Sequence, residues 1–361
     1  GVRIMAYTTI DDPSVYFQSL LYTGNATGSR ALTNDGNSDL QPDWLWIKQR
    51  NAAKNHNVWD STRGVTKQLR TNLTNAEASN TANDNLVSLD SDGFTLGDDT
   101  DSVGVNENSQ TYVAWQWKAN GGTTTTNDAS ATSVGTIDSV YQANTAAGFS
   151  IVTYTGAGGN QTVAHGLGVT PEVIFIKLRS GAGDWTSYHS VLGAEKFMRL
   201  NDTNAVGDQA TYFQDTAPTS TVFSVGNAGD VNTSSGTHVA YCFKSIKGYS
   251  KFGSYLGNAD NNGTFVYTGF SPAWLMIKRT DSTQQWNIHD NKRKTYNQDV
   301  AYVFANLNNA EATSSNLYLD FLSNGFRLRN GDDAQNNGTY LYLAFAHQPF
   351  VTSSGVPTTA K

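Results

Sequence analysis

The chain has 361 residues, of which only 15% are charged, and its formal net charge is −7. This length predicts two or three domains, and neutral polar residues must cover most of their surface. The acidic balance argues against nucleic-acid binding, because contacts with phosphates need clustered Lys and Arg. A single cysteine, Cys242, excludes an intrachain disulfide, and its apolar neighbours indicate a buried thiol.

No run of about 18 apolar residues occurs, and residues 1–13 lack the basic and then apolar pattern of an export signal. We therefore expect neither membrane insertion nor a recognisable signal peptide. Residues 1–13 are interpreted as an N-terminal arm.

Three phrases share one pattern: PDWLWIK at 42–48, PEVIFIK at 171–177 and PAWLMIK at 272–278. Each is followed by an Asn-rich segment, then by a Phe in a short strand-like phrase, and finally by an aliphatic–Ala–aromatic triplet. The triplets are Val113-Ala114-Trp115, Val239-Ala240-Tyr241 and Leu343-Ala344-Phe345. This shared spacing predicts three homologous units, each too long for a solenoid repeat.

The units are predicted to be β-sandwiches. Their phrases are nearly continuous runs of β-branched and aromatic residues, typical of a strand covered on both faces. The proline is expected at the strand entry and the lysine at a solvent-exposed exit, while Asp-Gly at 92–93 and Asn-Gly at 324–325 predict hairpins.

The predicted fold is therefore all-β, with three tandem, homologous β-sandwich domains of the jelly-roll or lectin-like kind. A Thr/Ser/Gly-rich segment without a core pattern is interpreted as a linker. The predicted boundaries are an N-terminal arm at 1–13, repeat 1 at 14–119, the linker at 120–146, repeat 2 at 147–246, repeat 3 at 247–348 and an extended tail at 349–361.

One candidate metal site lies in the segment GDDTDS. Its Asp98, Asp99 and Asp101 supply oxygen ligands that calcium could use. Solvated turns are the favoured alternative, because the spacing matches no defined calcium loop. Calcium is thus the one candidate cofactor, and otherwise we expect none.

Aromatic residues after the first repeated strand are the candidate ligand-binding positions, because a flat ring beside polar residues could stack on a sugar or a partner surface. Packing inside the sandwich is the alternative. The candidates are Trp59, Trp185, Tyr188, Trp286 and His289.

An acidic and a basic residue recur three positions apart, as Asp60 with Arg63 and as Asp290 with Arg293. Repeat 2 has His189 and Leu192 instead. Because a catalytic dyad would not lose both members in one copy, we interpret these as ion pairs that fix a loop.

Several longer phrases, among them GFSIVTYTG, AHGLGVTPEVIFIK, GYSKFGSYLGN and FVYTGFSPAWLMIKRTDST, resemble uncharacterised repeat proteins of marine tailed bacteriophages. The resemblance covers nearly the whole chain and implies a virion structural protein, tail-fibre-like or lectin-like, without catalytic residues. Such a protein is made in the host cytoplasm and resides in the virion.

Three functions follow from this reading. The first is a non-enzymatic tail-fibre or adhesion protein whose partners are other virion proteins and a host-surface glycan or protein, with a homotrimer as one expected assembly. The second is a capsid or tail decoration or assembly protein. The third is an enzyme that degrades surface glycans.

Overall fold

The computed structural model describes residues 6–80, 82, 84–294, 297, 300–314 and 316–358. Antiparallel strands dominate, which confirms the all-β prediction. The described helical segments are a 3₁₀ turn at Pro13–Val15 and the helices α1 (Ala129–Thr132), α2 (Ala210–Phe213) and α3 (Gly229–Asn232). None of the described helices is long and apolar enough to cross a membrane.

Repeat 1 is a large sheet packed against a small one. Its strands are β1 (Phe17–Thr23), β2 (Arg30–Leu32), β3 (Trp44–Gln49), β4 (Asn57–Asp60), β5 (Lys67–Arg70), β6 (Ala78–Ser79), β7 (Leu86–Asp90), β8 (Gly93–Leu96) and β9 (Thr111–Trp117). The large sheet has the order β1-β9-β3-β4-β5-β6 and the small sheet the order β2-β8-β7. The predicted hairpin joins β7 to β8. Gly93 is required there, because its φ is +101° and a Cβ would lie 1.9 Å from the Leu32 carbonyl oxygen.

Repeat 2 has a wider large sheet. Its strands are β10 (Thr125–Asn127), β11 (Ser139–Asn144), β12 (Phe149–Thr155), β13 (Gln161–Ala164), β14 (Val173–Leu178), β15 (Trp185–His189), β16 (Lys196–Arg199), β17 (Gly207–Asp208), β18 (Val222–Val225) and β19 (Thr237–Phe243). The large sheet has the order β10-β11-β12-β19-β14-β15-β16-β17, and β13 pairs with β18. Cys242 is buried in β19, as predicted.

Repeat 3 returns to the arrangement of repeat 1. Its strands are β20 (Ser250–Leu256), β21 (Phe265–Tyr267), β22 (Phe270–Arg279), β23 (Trp286–Asp290), β24 (Ala301–Phe304), β25 (Ala312–Thr313), β26 (Leu319–Leu322), β27 (Gly325–Leu328) and β28 (Thr339–Pro349). The large sheet has the order β20-β28-β22-β23-β24-β25 and the small sheet the order β21-β27-β26. The second predicted hairpin joins β26 to β27.

The segment 120–146, interpreted above as a linker, contributes β10 and β11 to the edge of the repeat 2 sheet. The strands were not predicted because the segment is rich in polar residues and has no apolar pattern. Hydrogen bonds compensate the burial of these polar side chains. Ser139 donates to the Ala164 carbonyl, and the Gln142 amide donates to the hydroxyls of Ser61 and Thr62 in repeat 1. The segment therefore joins the two repeats through side-chain contacts as well as through the chain.

The thrice-repeated phrase is buried on both faces because it separates two cores. In β3, Trp44 and Trp46 face a core shared by all three repeats, whereas Leu45 and Ile47 face the interior of repeat 1. The same alternation occurs in β14 and β22. An apolar run therefore follows from packing between two layers rather than within a single sandwich.

The shared core lies where the three large sheets meet. Aromatic rings from different repeats contact one another directly: Trp44 lies 4.7 Å from Tyr241, and Trp117 lies 5.6 Å from Trp274, measured between ring centroids. The inner face of each large sheet is covered by the other two large sheets. The repeats therefore pack as one body around a common centre.

Two features of the repeated strands differ from prediction. Pro42 and Pro171 precede their strands by two residues, and Pro272 lies inside β22 at a register irregularity, where its missing N–H is tolerated. The strand pairing also aligns Leu341-Tyr342-Leu343, not Leu343-Ala344-Phe345, with the closing triplets of the other repeats. A shift of two residues preserves the inward-facing side chains, so sequence pattern alone does not detect it.

Both ends of the described chain lie on repeat 3. Tyr7 donates its hydroxyl to the Gly269 carbonyl, and Thr8 donates its hydroxyl to the Lys247 carbonyl. In the C-terminal tail, the Ser353 backbone N–H donates to Asp11 of the N-terminal arm. The arm and the tail are thus packed together against the same repeat.

Candidate binding surface

The five aromatic positions considered as ligand-binding residues are buried, each at most 3% exposed: Trp59, Trp185, Tyr188, Trp286 and His289. Trp185 and Trp286 belong to the shared core, whereas Trp59 and Tyr188 lie within their own repeats. Their flat faces contact protein, so packing and not ligand stacking explains them.

Trp185 and Trp286 hold neighbouring repeats together. The indole Nε1 of Trp185 donates to the Arg70 carbonyl of repeat 1, and that of Trp286 donates to the Arg199 carbonyl of repeat 2, both at 2.9 Å. In repeat 1 the aligned position is His56, which is fully buried. The contacts run in one direction, from repeat 2 to repeat 1 and from repeat 3 to repeat 2.

The lysines that end the repeated phrases continue this pattern, and the expectation that they lie at a solvent-exposed exit is wrong. Lys48, Lys177 and Lys278 are 0% exposed. Each donates from Nζ to a backbone carbonyl of another repeat, and the acceptors are Asn308, Thr74 and Thr203, respectively. The donors belong to repeats 1, 2 and 3 and the acceptors to repeats 3, 1 and 2, so the contacts close a ring of three.

The Asp60–Arg63 pair does fix its loop, and it also binds repeat 2. Both side chains are fully buried, with Arg63 Nε 2.5 Å from Asp60 Oδ2. The Tyr241 hydroxyl donates to the same carboxylate oxygen at 2.6 Å. Glu77 lies 2.7 Å from Arg63 and 2.8 Å from Arg179, which extends the network across the interface between repeats 1 and 2.

The Asp290–Arg293 pair repeats this arrangement between repeats 3 and 1. Arg293 Nε lies 2.6 Å from Asp290 Oδ2, and the Trp115 indole donates to that oxygen at 3.0 Å. Glu311 lies 2.9 Å from Arg50 and 3.3 Å from Arg293. Two of the three interfaces therefore contain a buried carboxylate–arginine network.

The third interface, between repeats 2 and 3, has the buried His189 and the partly buried Leu192 at the positions of the aspartate and the arginine. Leu192 and Val206 of repeat 2 pack against the shared core, which also contains Leu343 of repeat 3. The Val206 N–H still donates to the Thr280 carbonyl, as the Glu77 N–H does to Arg179. The absence of both Asp and Arg from these positions of repeat 2 is the sequence feature that distinguishes this interface from the other two.

Two of the three carboxylates considered for calcium, Asp99 and Asp101, accept hydrogen bonds from the protein. Both oxygens of Asp99 accept backbone N–H groups, from Gly104, Val105 and Asn106, and its burial raises the pKa of that carboxyl. Asp98 is half-buried, and Asp101 accepts from Asn80 and Asn85. Among the residues that the structure describes, no three His, Cys, Asp or Glu side chains are grouped as a metal site.

Repeat 3 presents an exposed group of aromatic and basic side chains that the sequence analysis missed. Phe265 and Tyr267 lie on the outer face of the edge strand β21 and are 43% and 47% exposed. The hydroxyls of Tyr267 and Tyr7 are 2.9 Å apart. Lys247 lies 4.4 Å from the centre of the Tyr7 ring, and Lys251 lies 5.3 Å from that of Tyr267. We name these five residues the aromatic–lysine surface.

The aromatic–lysine surface is specific to repeat 3. The strands β2, β13 and β21 each pair with a strand that contains one of the aligned phenylalanines, Phe94, Phe223 and Phe326. This pairing identifies the residues of repeats 1 and 2 that correspond to Phe265 and Tyr267. The position of Phe265 is occupied by Ala31 in repeat 1 and by Thr162 in repeat 2, and that of Tyr267 is occupied by Thr33 and Ala164. Exposed rings on one repeat of three therefore have no role in the fold that the other repeats share.

A comparison with protein families matches residues 12–349 to one family, described as "Domain of unknown function (DUF7483)". The match covers most of the chain and includes all three repeats. The chain has no significant match among curated proteins, nor among solved structures.

Proposed function

The chain belongs to the DUF7483 family, and from this premise we propose that it is a non-enzymatic structural protein of a bacteriophage particle, acting as a tail-fibre or adhesion component. The observation that carries this proposal is the aromatic–lysine surface. It offers exposed rings and cations to a partner on one repeat, while the other two complete the scaffold.

The scaffold suits such a role because it is tightly closed. Each large sheet contributes to the shared core, and the buried Asp60 and Asp290 carboxylates accept hydrogen bonds from Tyr241 and Trp115 of neighbouring repeats. The buried carboxylates Asp60 and Asp290 are each committed to an arginine, which favours a structural over a catalytic use of these groups. A rigid support keeps the surface residues in a fixed geometry.

Competition for adsorption tests the proposal. The purified chain should reduce attachment of the phage that carries it to host cells. The double variant F265A/Y267A should fold but compete much less, because both side chains are partly exposed and add little to the core. The matched control is V191A, at an apolar position of repeat 2 that is 50% exposed. Equal competition by F265A/Y267A and the unaltered chain would refute the adhesion role.

A second function, decoration of the capsid or tail, is favoured by the ring of three homologous repeats. One chain presents three similar outer sheets around a common centre, a shape suited to a threefold position on a particle. Counting chains in purified virions by mass spectrometry separates the two functions, because a decoration protein occurs in many copies and a fibre in few. Light scattering of the purified chain tests the expected homotrimer.

A further inference from the structure

We propose that the aromatic–lysine surface binds an acidic polysaccharide, with sugar rings against Phe265 and Tyr267 and carboxylate or sulfate groups on Lys247 and Lys251. This inference rests on the proposed adhesion function and specifies its ligand. It follows from the charge and the shape of the surface.

The charge of the surface is unpaired. Neither Lys247 nor Lys251 forms an ion pair with a described residue, whereas four other lysines at the protein surface do. The paired lysines are Lys54 with Glu107, Lys196 with Asp208, Lys244 with Glu172 and Lys292 with Asp35. In a chain of net charge −7 with more Asp and Glu than Lys and Arg, two lysines without acidic partners are available to an anionic ligand.

The lysines are also held in place. Lys251 donates from Nζ to the Tyr267 carbonyl at 2.7 Å, which positions the ammonium beside the ring and leaves its other N–H groups for a ligand. Lys247 lies over Tyr7, whose hydroxyl donates to the Gly269 carbonyl. Since less side-chain freedom is lost on binding, such fixed cations bind anions better than mobile ones.

The shape of the surface favours sugars. Phe265 and Tyr267 are two residues apart on one strand, so their side chains lie on the same face about 7 Å apart along it. Both rings expose apolar area next to hydroxyl and ammonium groups. A polysaccharide offers the complementary combination, because its rings have apolar C–H faces and its hydroxyl and acidic groups lie at their edges.

Binding measurements with the full chain test this assignment. The probes are polygalacturonate and chondroitin sulfate as acidic polysaccharides, dextran as a neutral one, and vesicles containing anionic lipid. We expect the acidic polysaccharides to bind and to weaken as salt increases. The variant K247Q/K251Q should bind them at least about tenfold more weakly, as the loss of charged contacts implies. The control K67Q/K118Q makes the same change in net charge elsewhere and should bind normally.

Equal binding of dextran, binding to anionic vesicles alone, or unaltered binding by K247Q/K251Q would overturn the inference. These outcomes differ from failure of the adhesion function. If F265A/Y267A loses competition for adsorption while acidic polysaccharides do not bind, the surface contacts the host and only the ligand class is wrong. If F265A/Y267A retains full competition, the surface has no role in adhesion and both proposals fail.

Discussion

Lys177 of repeat 2 donates a hydrogen bond from Nζ to the Thr74 backbone carbonyl of repeat 1, 3.1 Å away. It also donates to the Leu178 carbonyl at 2.7 Å. No carboxylate lies within ion-pair distance of this ammonium in the described structure, so Asp230 and Asp184 offset its burial only from a distance. Burial accordingly lowers the pKa of Lys177 to about 8.

The first prediction concerns alkaline pH. Burial also lowers the pKa of Lys48 to about 7 and that of Lys278 to about 8. Between these values and the ordinary value near 10.5, the unfolded chain binds more protons than the folded chain, so stability should rise with pH. From pH 7 to 9, each lysine can raise the free energy of unfolding by up to about 1.4 kcal/mol per pH unit.

Urea unfolding at pH 7, 8 and 9 measures this effect. Because other groups also titrate, the informative quantity is the difference in the free energy of unfolding between the unaltered chain and K177M. That difference should move in favour of the unaltered chain as the pH rises, while the control K118M should show a constant difference. Parallel curves for K177M would contradict the lowered pKa.

The second prediction concerns the Asp60–Arg63 pair. In R63L, Asp60 loses its buried cation, and we expect a loss of about 3–5 kcal/mol. The double variant D60H/R63L introduces the residues found at these positions in repeat 2, His189 and Leu192, and should be less destabilised than R63L. Denaturant unfolding of both variants, together with D60H, forms a double-mutant cycle. Greater destabilisation of the double variant than of R63L would contradict the pairing argument.

The third prediction concerns the buried tryptophans Trp185 and Trp286. W185A and W286A each remove a fully buried ring, so we expect a loss of about 3–5 kcal/mol. W185F keeps most of the apolar contact and loses the hydrogen bond to the Arg70 carbonyl, so its loss should be smaller. Thermal unfolding orders the variants, and a W185A chain as stable as the unaltered one would contradict the buried position.

The sequence predicted the strand content because apolar β-branched and aromatic runs are a local property. It did not predict that alternate residues of each run face a shared core and the core of their own repeat. Trp44 and Leu45 are both apolar, so the sequence does not show that they face different cores. Lys48 was misplaced for a similar reason: a lysine that ends an apolar run usually marks solvent, whereas here carbonyls of its own repeat and of repeat 3 compensate its burial. The aromatic–lysine surface was missed because Tyr7 and Tyr267 are 260 positions apart in the chain.

The fourth prediction concerns Asp99. Its carboxylate accepts three backbone N–H groups, so D99A should leave these buried donors without a partner at a cost of about 1–3 kcal/mol. Because the same oxygens would be needed for a metal, the melting temperature of the unaltered chain should not change with calcium or with a chelator. A rise with calcium that D99A abolishes would restore the calcium site.

The last prediction concerns acid pH. Burial lowers the pKa of His165, His189 and His238 to about 4, and that of His56 falls well below its ordinary value. These histidines stay neutral in the folded chain while the unfolded chain binds protons below about pH 6.5. Their contribution to stability is therefore complete above pH 6.5 and is lost as the pH falls toward 4.

Unfolding between pH 6.5 and 5 measures this loss before ordinary carboxylates titrate. We expect H165Q to depend less on pH than the unaltered chain, because a glutamine side chain cannot take up the proton that His165 gains on unfolding. The two curves should converge toward acid pH, where the advantage of a neutral buried histidine disappears. An equal slope in the two proteins would show that His165 has the same pKa folded and unfolded, and would contradict its burial beside the Thr219 carbonyl.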